Sequence, residues 1–195
     1  MSYLRERIRR DGVIYPGNVL KIDSFLNHQI DPKIMREIGE AFYEHFGDRK
    51  ITKILTIESS GIAPAIMAAV RFDVPMLFAK KTRPSTLKAD EAYVSEVYSY
   101  TKKTTSTVVV PKDYISGDDA VLIIDDFLAN GEAASGLIDI VRQAGASVAG
   151  VGICVEKSFQ KGRERLDAAG IEVYSVVRIR EINYERQEIV FREDH

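Results

Sequence analysis

The sequence has little cysteine, little histidine and no long apolar run, and each shortage excludes a class of protein. A single cysteine, Cys154, rules out a disulfide within the chain and fits a reducing compartment. Cys154 lies in the apolar run VGICVE, where a small buried hydrophobe is favoured over a catalytic thiol. The three histidines have no metal-like spacing, so we expect no metal site built by the protein itself.

Membrane and nucleic-acid partners are also disfavoured. No stretch approaches the roughly 18–20 apolar residues of a membrane helix, and the basic N-terminal segment lacks the apolar core of a secretory signal. The net charge of −2 provides no global basic field for nucleic acid. We therefore expect one cytoplasmic domain over residues 1–195, since 45% hydrophobic residues can form a buried core.

Strand and helix patterns alternate along the chain after a short amphipathic helix that carries Leu4 and Ile8. Helical spacing appears at residues 32–46, 61–72, 131–144 and 163–169. Strand patterns occupy residues 19–24, 54–57, 75–79, 121–125, 148–156 and 173–182. This order predicts an α/β fold with a mostly parallel twisted sheet and helices on both faces.

The segment VLIIDDFLANGEA, residues 121–133, is the most informative part of the chain. A strand buried on both faces leads to Asp125 and Asp126, and a short loop reaches Asn130 and Gly131 where a helix begins. The helix start offers free N–H groups to a phosphate. The two carboxylates can accept hydrogen bonds from neighbouring ribose hydroxyls. The segment therefore suits a sugar phosphate.

Three other strand ends carry polar groups, and ligands of such sheets bind at the carboxyl ends of the strands. We expect these groups to gather at one edge: Glu58-Ser59-Ser60-Gly61, Lys80-Lys81 and Lys157-Ser158-Phe159. Two alternatives stay open. Ser59 or Ser60 could simply cap a helix, and Lys157 could extend its ammonium to solvent. The insert at residues 80–107, with strand-like pieces at 93–100 and 107–110, fits either a mobile lid or a plain exposed hairpin.

The 121–133 segment resembles the binding motif for 5-phosphoribosyl 1-pyrophosphate (PRPP) of the type I phosphoribosyltransferases. With VLKIDSFLNHQID at 19–31, IESSGIAPA at 57–65 and residues 140–160, it resembles the bacterial xanthine branch of that family along nearly the whole chain. Many members place threonine at the positions of Asn130 and Ala133. The missing hydroxyls leave backbone N–H groups and Asn130 for the phosphate, with Glu132 pointing outward. The Asn-Gly variant is itself a likeness to the xanthine branch.

The resemblance implies a type I phosphoribosyltransferase fold with an N-terminal hood at about residues 1–35 and a hairpin lid. The implied reaction transfers 5-phosphoribosyl from PRPP to N9 of xanthine, giving xanthosine 5′-monophosphate (XMP) and pyrophosphate. It also implies Mg²⁺ carried by PRPP and a homodimer. The resemblance implies that Asp125 and Asp126 are catalytic and that Leu20, Asn27, Lys157 and Phe159 bind the base. The residues implied to bind PRPP are Ala129, Asn130, Gly131, Glu132, Ala133, Glu58, Ser59, Ser60, Gly61, Lys80 and Lys81, with Arg83 as a further cation.

Several alternatives remain at this point. A hypoxanthine or guanine transferase shares the 6-oxo group that Lys157 would bind, whereas the 6-amino group of adenine cannot accept from an ammonium. A PRPP-binding purine-responsive regulator would need a DNA-reading module, and only about thirty residues precede the fold. Asn27 could equally be a turn residue.

Overall fold

The computed structural model describes residues 2–99 and 104–192. In this part of the chain the elements follow in the order α1 (Tyr3–Asp11), β1 (Val13–Tyr15), β2 (Val19–Lys21), α2 (Pro32–Phe46), β3 (Lys53–Ile57), α3 (Ile62–Phe72), β4 (Met76–Ala79), β5 (Ala92–Ser99), β6 (Thr104–Pro111), β7 (Ala120–Leu128), α4 (Glu132–Gln143), β8 (Ser147–Lys157), α5 (Gly162–Ala168), β9 (Val173–Asn183) and β10 (Glu188–Phe191). Among these residues no helix is both long and apolar enough to cross a membrane.

A six-stranded sheet in the order β10-β9-β8-β7-β3-β4 forms the centre of the molecule. Neighbouring strands from β9 to β4 run parallel, and only β10 is antiparallel to its neighbour. The expected α/β fold with a mostly parallel sheet is confirmed. The sequence analysis missed β1 and β10, which are short and carry little apolar alternation.

Helices cover both faces of the sheet because alternate residues of each strand point to opposite sides. In β7, Leu122 and Ile124 pack with α1, α2 and α3, whereas Val121 and Ile123 pack with α4 and α5. The prediction of a strand buried on both faces is therefore confirmed.

The predicted helix 32–46 is confirmed residue for residue. Pro32 occupies its first turn, and the Asp31 carboxylate accepts hydrogen bonds from the N–H groups of Lys33 and Ile34. Its apolar face, which includes Ile38, is buried in the core.

Two strands end at positions clearly different from the sequence expectation. The strand expected at 121–125 continues to Leu128, which still pairs with Glu156 of β8, so Asp125 and Asp126 lie within the strand and not after it. The strand expected at 19–24 ends at Lys21, and a π-helical turn, Asp23–Asn27, replaces its second half.

The hairpin expected in the insert is present as β5 and β6. These strands pair over their whole described length, and β6 begins three residues earlier than expected. Tyr100, the last residue of the expected strand 93–100, lies outside the described residues. The hairpin packs against α4.

Candidate active site

A cavity of about 510 Å³ opens at the carboxyl ends of β3, β7 and β8. Its walls include the turn between β3 and α3, the end of β7 with the loop that follows, and the end of β8. The residues expected from the sequence that line it are Glu58, Ser59, Ser60, Gly61, Lys81, Asp125, Asp126, Ala129, Asn130, Gly131, Glu132, Ala133 and Lys157. Segments at the ends of four strands, β3, β4, β7 and β8, thus meet in one cavity.

The two aspartates form an acidic pair at the floor of this cavity. Asp125 is 5% exposed, and its carboxylate accepts a hydrogen bond of 2.9 Å from the N–H of Asp126. Burial, followed by the neighbouring Asp126 charge, raises the pKa of Asp125 well above its ordinary value. The pair is therefore a costly arrangement for the protein alone, and hydrogen-bond donors brought by a ligand would stabilise it.

The turn between β3 and α3 is held by its backbone and by one carboxylate. The Glu58 N–H donates to the Ala79 carbonyl at 3.1 Å, and the Glu58 carboxylate accepts from the Lys81 N–H at 2.6 Å. The Glu58–Ser59 peptide bond is cis. Gly61 occupies the N-cap position of α3 without a side-chain hydrogen bond, so the simple capping role for Ser59 or Ser60 is wrong.

Close packing at this turn depends on glycine. A Cβ added at Gly61 would overlap the hydroxyl oxygen of Thr56 and would lie 3.2 Å from a carboxylate oxygen of Asp125. The absence of a side chain therefore lets the turn approach the acidic pair.

The loop after β7 ends where α4 begins. Gly131 has φ of +83° and takes the N-cap position with no side-chain hydrogen bond to the helix. The positive end of α4 therefore faces the cavity without a capping carboxylate or hydroxyl from that position. Glu132 forms an ion pair of 2.7 Å with Arg165, which directs its carboxylate toward α5 although the residue still lines the cavity.

Lys157 lies at the last position of β8, half-buried. Burial lowers the pKa of its ammonium, and the nearby Asp126 opposes that shift. The Nζ atom lies 5.3 Å from the ring centre of Phe127, which also lines the cavity. Because the side chain turns into the cavity, the alternative of a lysine extended to bulk solvent is disfavoured.

Five residues chosen from the sequence do not line this cavity, and one of them is the further cation Arg83. Lys80 pairs through its backbone with Val109 and lines a separate apolar cavity of about 220 Å³. Leu20 is buried in the core, and Phe159 is 44% exposed. Asn27 ends the π-helical turn, and its buried Oδ1 has no hydrogen-bond partner among the described residues.

Sequence reasoning also missed several wall residues. The tip of the β1–β2 hairpin contributes Gly17, Asn18 and Val19, and the wall further includes Phe127, Gln160, Val97, Tyr98, Ser106 and Val108. Phe127 could have been found, since it lies two residues after Asp125 and shares its face of a continued strand. The local sequence of the β1–β2 hairpin did not indicate that its tip lines the cavity.

A family model for the phosphoribosyl transferase domain matches residues 26–183. The chain belongs to the phosphoribosyltransferase family. The xanthine phosphoribosyltransferase of Staphylococcus aureus strain JH9 is 55% identical to it over 193 residues, which cover 99% of this chain and 100% of that relative. The enzyme of the same name from strain Newman is 58% identical over 179 residues, which cover 92% and 93%. The likeness noted from the sequence motifs is confirmed.

Solved structures of the family share the fold of this phosphoribosyltransferase. Adenine phosphoribosyltransferase from Rhodothermus marinus has a TM-score of 0.74 and 28% identity, covering 90% of this chain and 97% of that one. The adenine enzyme of Trypanosoma brucei, in complex with AMP, pyrophosphate and ribose-5-phosphate, also has a TM-score of 0.74, at 21% identity, covering 91% and 80%. The second likeness concerns the fold alone.

Proposed function

We propose that this phosphoribosyltransferase transfers the 5-phosphoribosyl group of PRPP to N9 of xanthine and releases XMP and pyrophosphate. Relatives that bear the xanthine name match nearly its whole length. The observation that carries the proposal is the shared cavity, which is lined by an acidic pair, an uncapped helix start and a half-buried lysine.

In this proposal PRPP lies across the ends of β3 and β7. The start of α4 with residues Ala129 to Ala133 takes the 5′-phosphate, because its N–H groups are not capped by Gly131. Asp125 and Asp126 accept hydrogen bonds from the ribose hydroxyls and oppose the positive charge that grows on the ribose as the C1′–pyrophosphate bond breaks. N9 then bonds to C1′, and the base loses one proton.

The departing pyrophosphate lies against the β3–α3 turn. The N–H groups of Ser59, Ser60 and Gly61 and the side chain of Lys81 would stabilise its charge. Lys81 is the preferred cation because it lines the cavity. Lys80 and Arg83 remain second candidates, since both are exposed and lie within two residues of Lys81 in the sequence.

The purine base lies between the end of β8 and the N-terminal hood. The Lys157 ammonium donates to an oxygen of the ring, and Phe127 offers an aromatic surface beside it. Asn27 is retained as a base contact because its buried, unpartnered oxygen would gain a donor from the base. Leu20 supports the hood from the core, and Phe159 would close over the base only after a movement of its turn.

Mg²⁺ fits this site as a companion of PRPP. The described residues contain no group of three or more potential metal ligands, whereas the Asp125–Asp126 pair offers the one or two carboxylates with which Mg²⁺ commonly supplements substrate phosphates. The bound ion would neutralise charge on the leaving pyrophosphate. A homodimer and a cytoplasmic location complete the proposal and rest on the family likeness.

Pyrophosphate release with PRPP and Mg²⁺ tests the assignment when xanthine, guanine, hypoxanthine and adenine are compared. We expect kcat/KM to favour xanthine at least about tenfold, which corresponds to about 1.4 kcal/mol of discrimination. A preference for guanine or hypoxanthine would reassign the base. Binding of PRPP without turnover of any base would favour a regulator.

A further inference from the structure

The β1–β2 hairpin is anchored at its base and reaches the cavity with its tip. Ile14 and Leu20 are buried in the core, whereas Gly17, Asn18 and Val19 at the tip line the cavity. The tip needs two left-handed residues, Gly17 at φ +80° and Asn18 at φ +57°. Glycine and asparagine adopt this conformation more readily than other residues. The backbone at the tip is thus specified by the local sequence.

The side chain of Asn18 joins this tip to the far end of the chain. Its Oδ1 accepts a hydrogen bond of 3.0 Å from the N–H of Tyr184, 166 residues later. Tyr184 lies in the turn between β9 and β10, and none of the described residues of this hairpin lines the cavity.

The position of that turn explains why the link reaches the cavity. Ile179 of β9 pairs with Lys157 at the end of β8, and β9 then continues four residues further to Asn183. At about 3.3 Å per residue the strand rises roughly 13 Å above the level of Lys157. The β9–β10 turn therefore stands beside the cavity mouth at the Lys157 end.

We propose that Asn18 is a positioning residue. Its hydrogen bond with the Tyr184 N–H fixes the tip of the β1–β2 hairpin, and this tip forms the cavity wall that faces the purine base. The inference rests on the proposed function, since it assigns the Lys157 end of the cavity to the base. Without the Asn18–Tyr184 hydrogen bond the hairpin tip would be less ordered. Binding of the base would then have to order the tip, and the affinity for the base would fall. The groups on β3 and β7 proposed to bind PRPP would be unaffected, because strand pairing and the backbone hydrogen bond from Glu58 to Ala79 hold them in place.

Two substitutions separate the hydrogen bond from the backbone conformation. Asn18→Gly keeps a residue that tolerates positive φ but removes the acceptor, whereas Asn18→Asp keeps both the tolerance and an acceptor oxygen. Asp73→Gly is the matched control, because Asp73 also has φ of +56° but lies at the end of α3, outside the cavity lining.

We expect Asn18→Gly to raise KM for xanthine about threefold to tenfold, the effect of losing one ordinary hydrogen bond, with kcat and KM for PRPP within twofold. Asn18→Asp should restore most of the affinity, and Asp73→Gly should leave both KM values unchanged. Hydrogen exchange should accelerate at the Tyr184 amide and in residues 13–21 of Asn18→Gly alone.

The inference is overturned if Asn18→Gly leaves exchange at Tyr184 or KM for xanthine unchanged, or if KM for PRPP rises equally. It is also overturned if Asn18→Asp behaves like Asn18→Gly. Wild-type protein that turns over no purine would instead contradict the proposed function. In that case, exchange and direct binding of XMP and PRPP to the same variants still decide the role of Asn18.

Discussion

Two buried carboxylates on neighbouring strands differ in what surrounds them. Asp125 on β7 is 5% exposed and Glu156 on β8 is 1% exposed. Glu156 accepts hydrogen bonds of 2.6 Å from each of Ser158, Ser175 and Arg163. Asp125 accepts from one backbone N–H and lies beside a second carboxylate.

Their pKa values move in opposite directions as a result. Donors, the first of them Arg163, lower the pKa of Glu156 to about 2 against the burial that would raise it. Burial and Asp126 raise the pKa of Asp125. A buried acid with donors within the protein stabilises the fold, whereas a buried acid beside another acid requires donors from a ligand. Burial in the carboxyl-terminal half of a sheet strand does not distinguish the two roles.

The largest effect should follow from neutralising the acidic pair. The double variant Asp125→Asn, Asp126→Asn should lose about 10²- to 10⁴-fold in kcat/KM, since two charge-assisted bonds of about 1.5–3 kcal/mol each are removed. Its melting temperature should not fall, because the substitution removes a buried charge that the fold does not compensate. Steady-state kinetics and calorimetry measure both. A large fall in Tm with activity retained would show that the acidic pair stabilises the fold, as we infer for Glu156, and would contradict its role in ligand binding.

Glu156→Gln should mainly lower the free energy of unfolding. The folded pKa of about 2 lies below the ordinary value of 4.5, so the carboxylate contributes stability that is fully present above about pH 4.5 and is lost as the pH falls toward 2. The shift corresponds to about 3 kcal/mol. Unfolding by denaturant between pH 2 and pH 7 should show a gap between wild type and variant that closes at low pH. An equal gap at both ends would contradict this account. Glu188→Gln, an exposed control, should show none.

Lys157→Met should weaken the base side of the site alone. Loss of one charge-assisted hydrogen bond predicts a fall of about 10- to 100-fold in kcat/KM for the 6-oxopurines, with KM for PRPP nearly unchanged. Lys161→Met, which removes an exposed ammonium from the same turn, should remain within twofold. Equal losses from both variants would show that total charge matters more than the placement of Lys157.

The smallest stability effect should come from the β3–α3 turn. Because neither serine caps α3, Ser59→Ala and Ser60→Ala should each change the free energy of unfolding by less than about 0.5 kcal/mol. Asp31→Ala, which removes a real cap from α2, should cost about 1 kcal/mol or more. Denaturant unfolding compares the three. A serine variant as unstable as Asp31→Ala would show a structural role that the hydrogen bonds do not reveal.

The end of β7 shows what sequence patterns measure. The apolar run 121–124 predicts a strand that is buried on both faces, but the apolar pattern stops at the first charged residue, Asp125. The strand itself continues to Leu128, because its backbone still pairs with β8. The apolar pattern of a sequence indicates which residues are buried. The length of a strand depends instead on hydrogen bonds to a neighbouring strand, which the local sequence does not reveal.

The Lys157 end of the cavity shows a second limit of sequence patterns. Lys157 was predicted from the sequence because it ends an apolar strand. Phe159 was predicted beside it, but the residues that line the cavity near Lys157 are Phe127 and Gln160. The turn after β8 exposes Phe159 and folds Gln160 back toward Lys157, whose carbonyl accepts the Gln160 N–H at 2.9 Å. That reversal depends on the turn geometry and not on residue type.

The sequence alone determined the α/β class, the family likeness and the continuous segments that line the cavity, namely 58–61, 125–133 and the end of β8. Each of these depends on neighbours along the chain, where hydrophobic period, glycine and charge can be read directly. Only the tertiary structure decided which residues of the β1–β2 and β5–β6 hairpins complete the cavity. It also decided that Asn18 accepts a hydrogen bond from Tyr184. These contacts join residues far apart in sequence, so they exist only after the sheet and its two faces have packed.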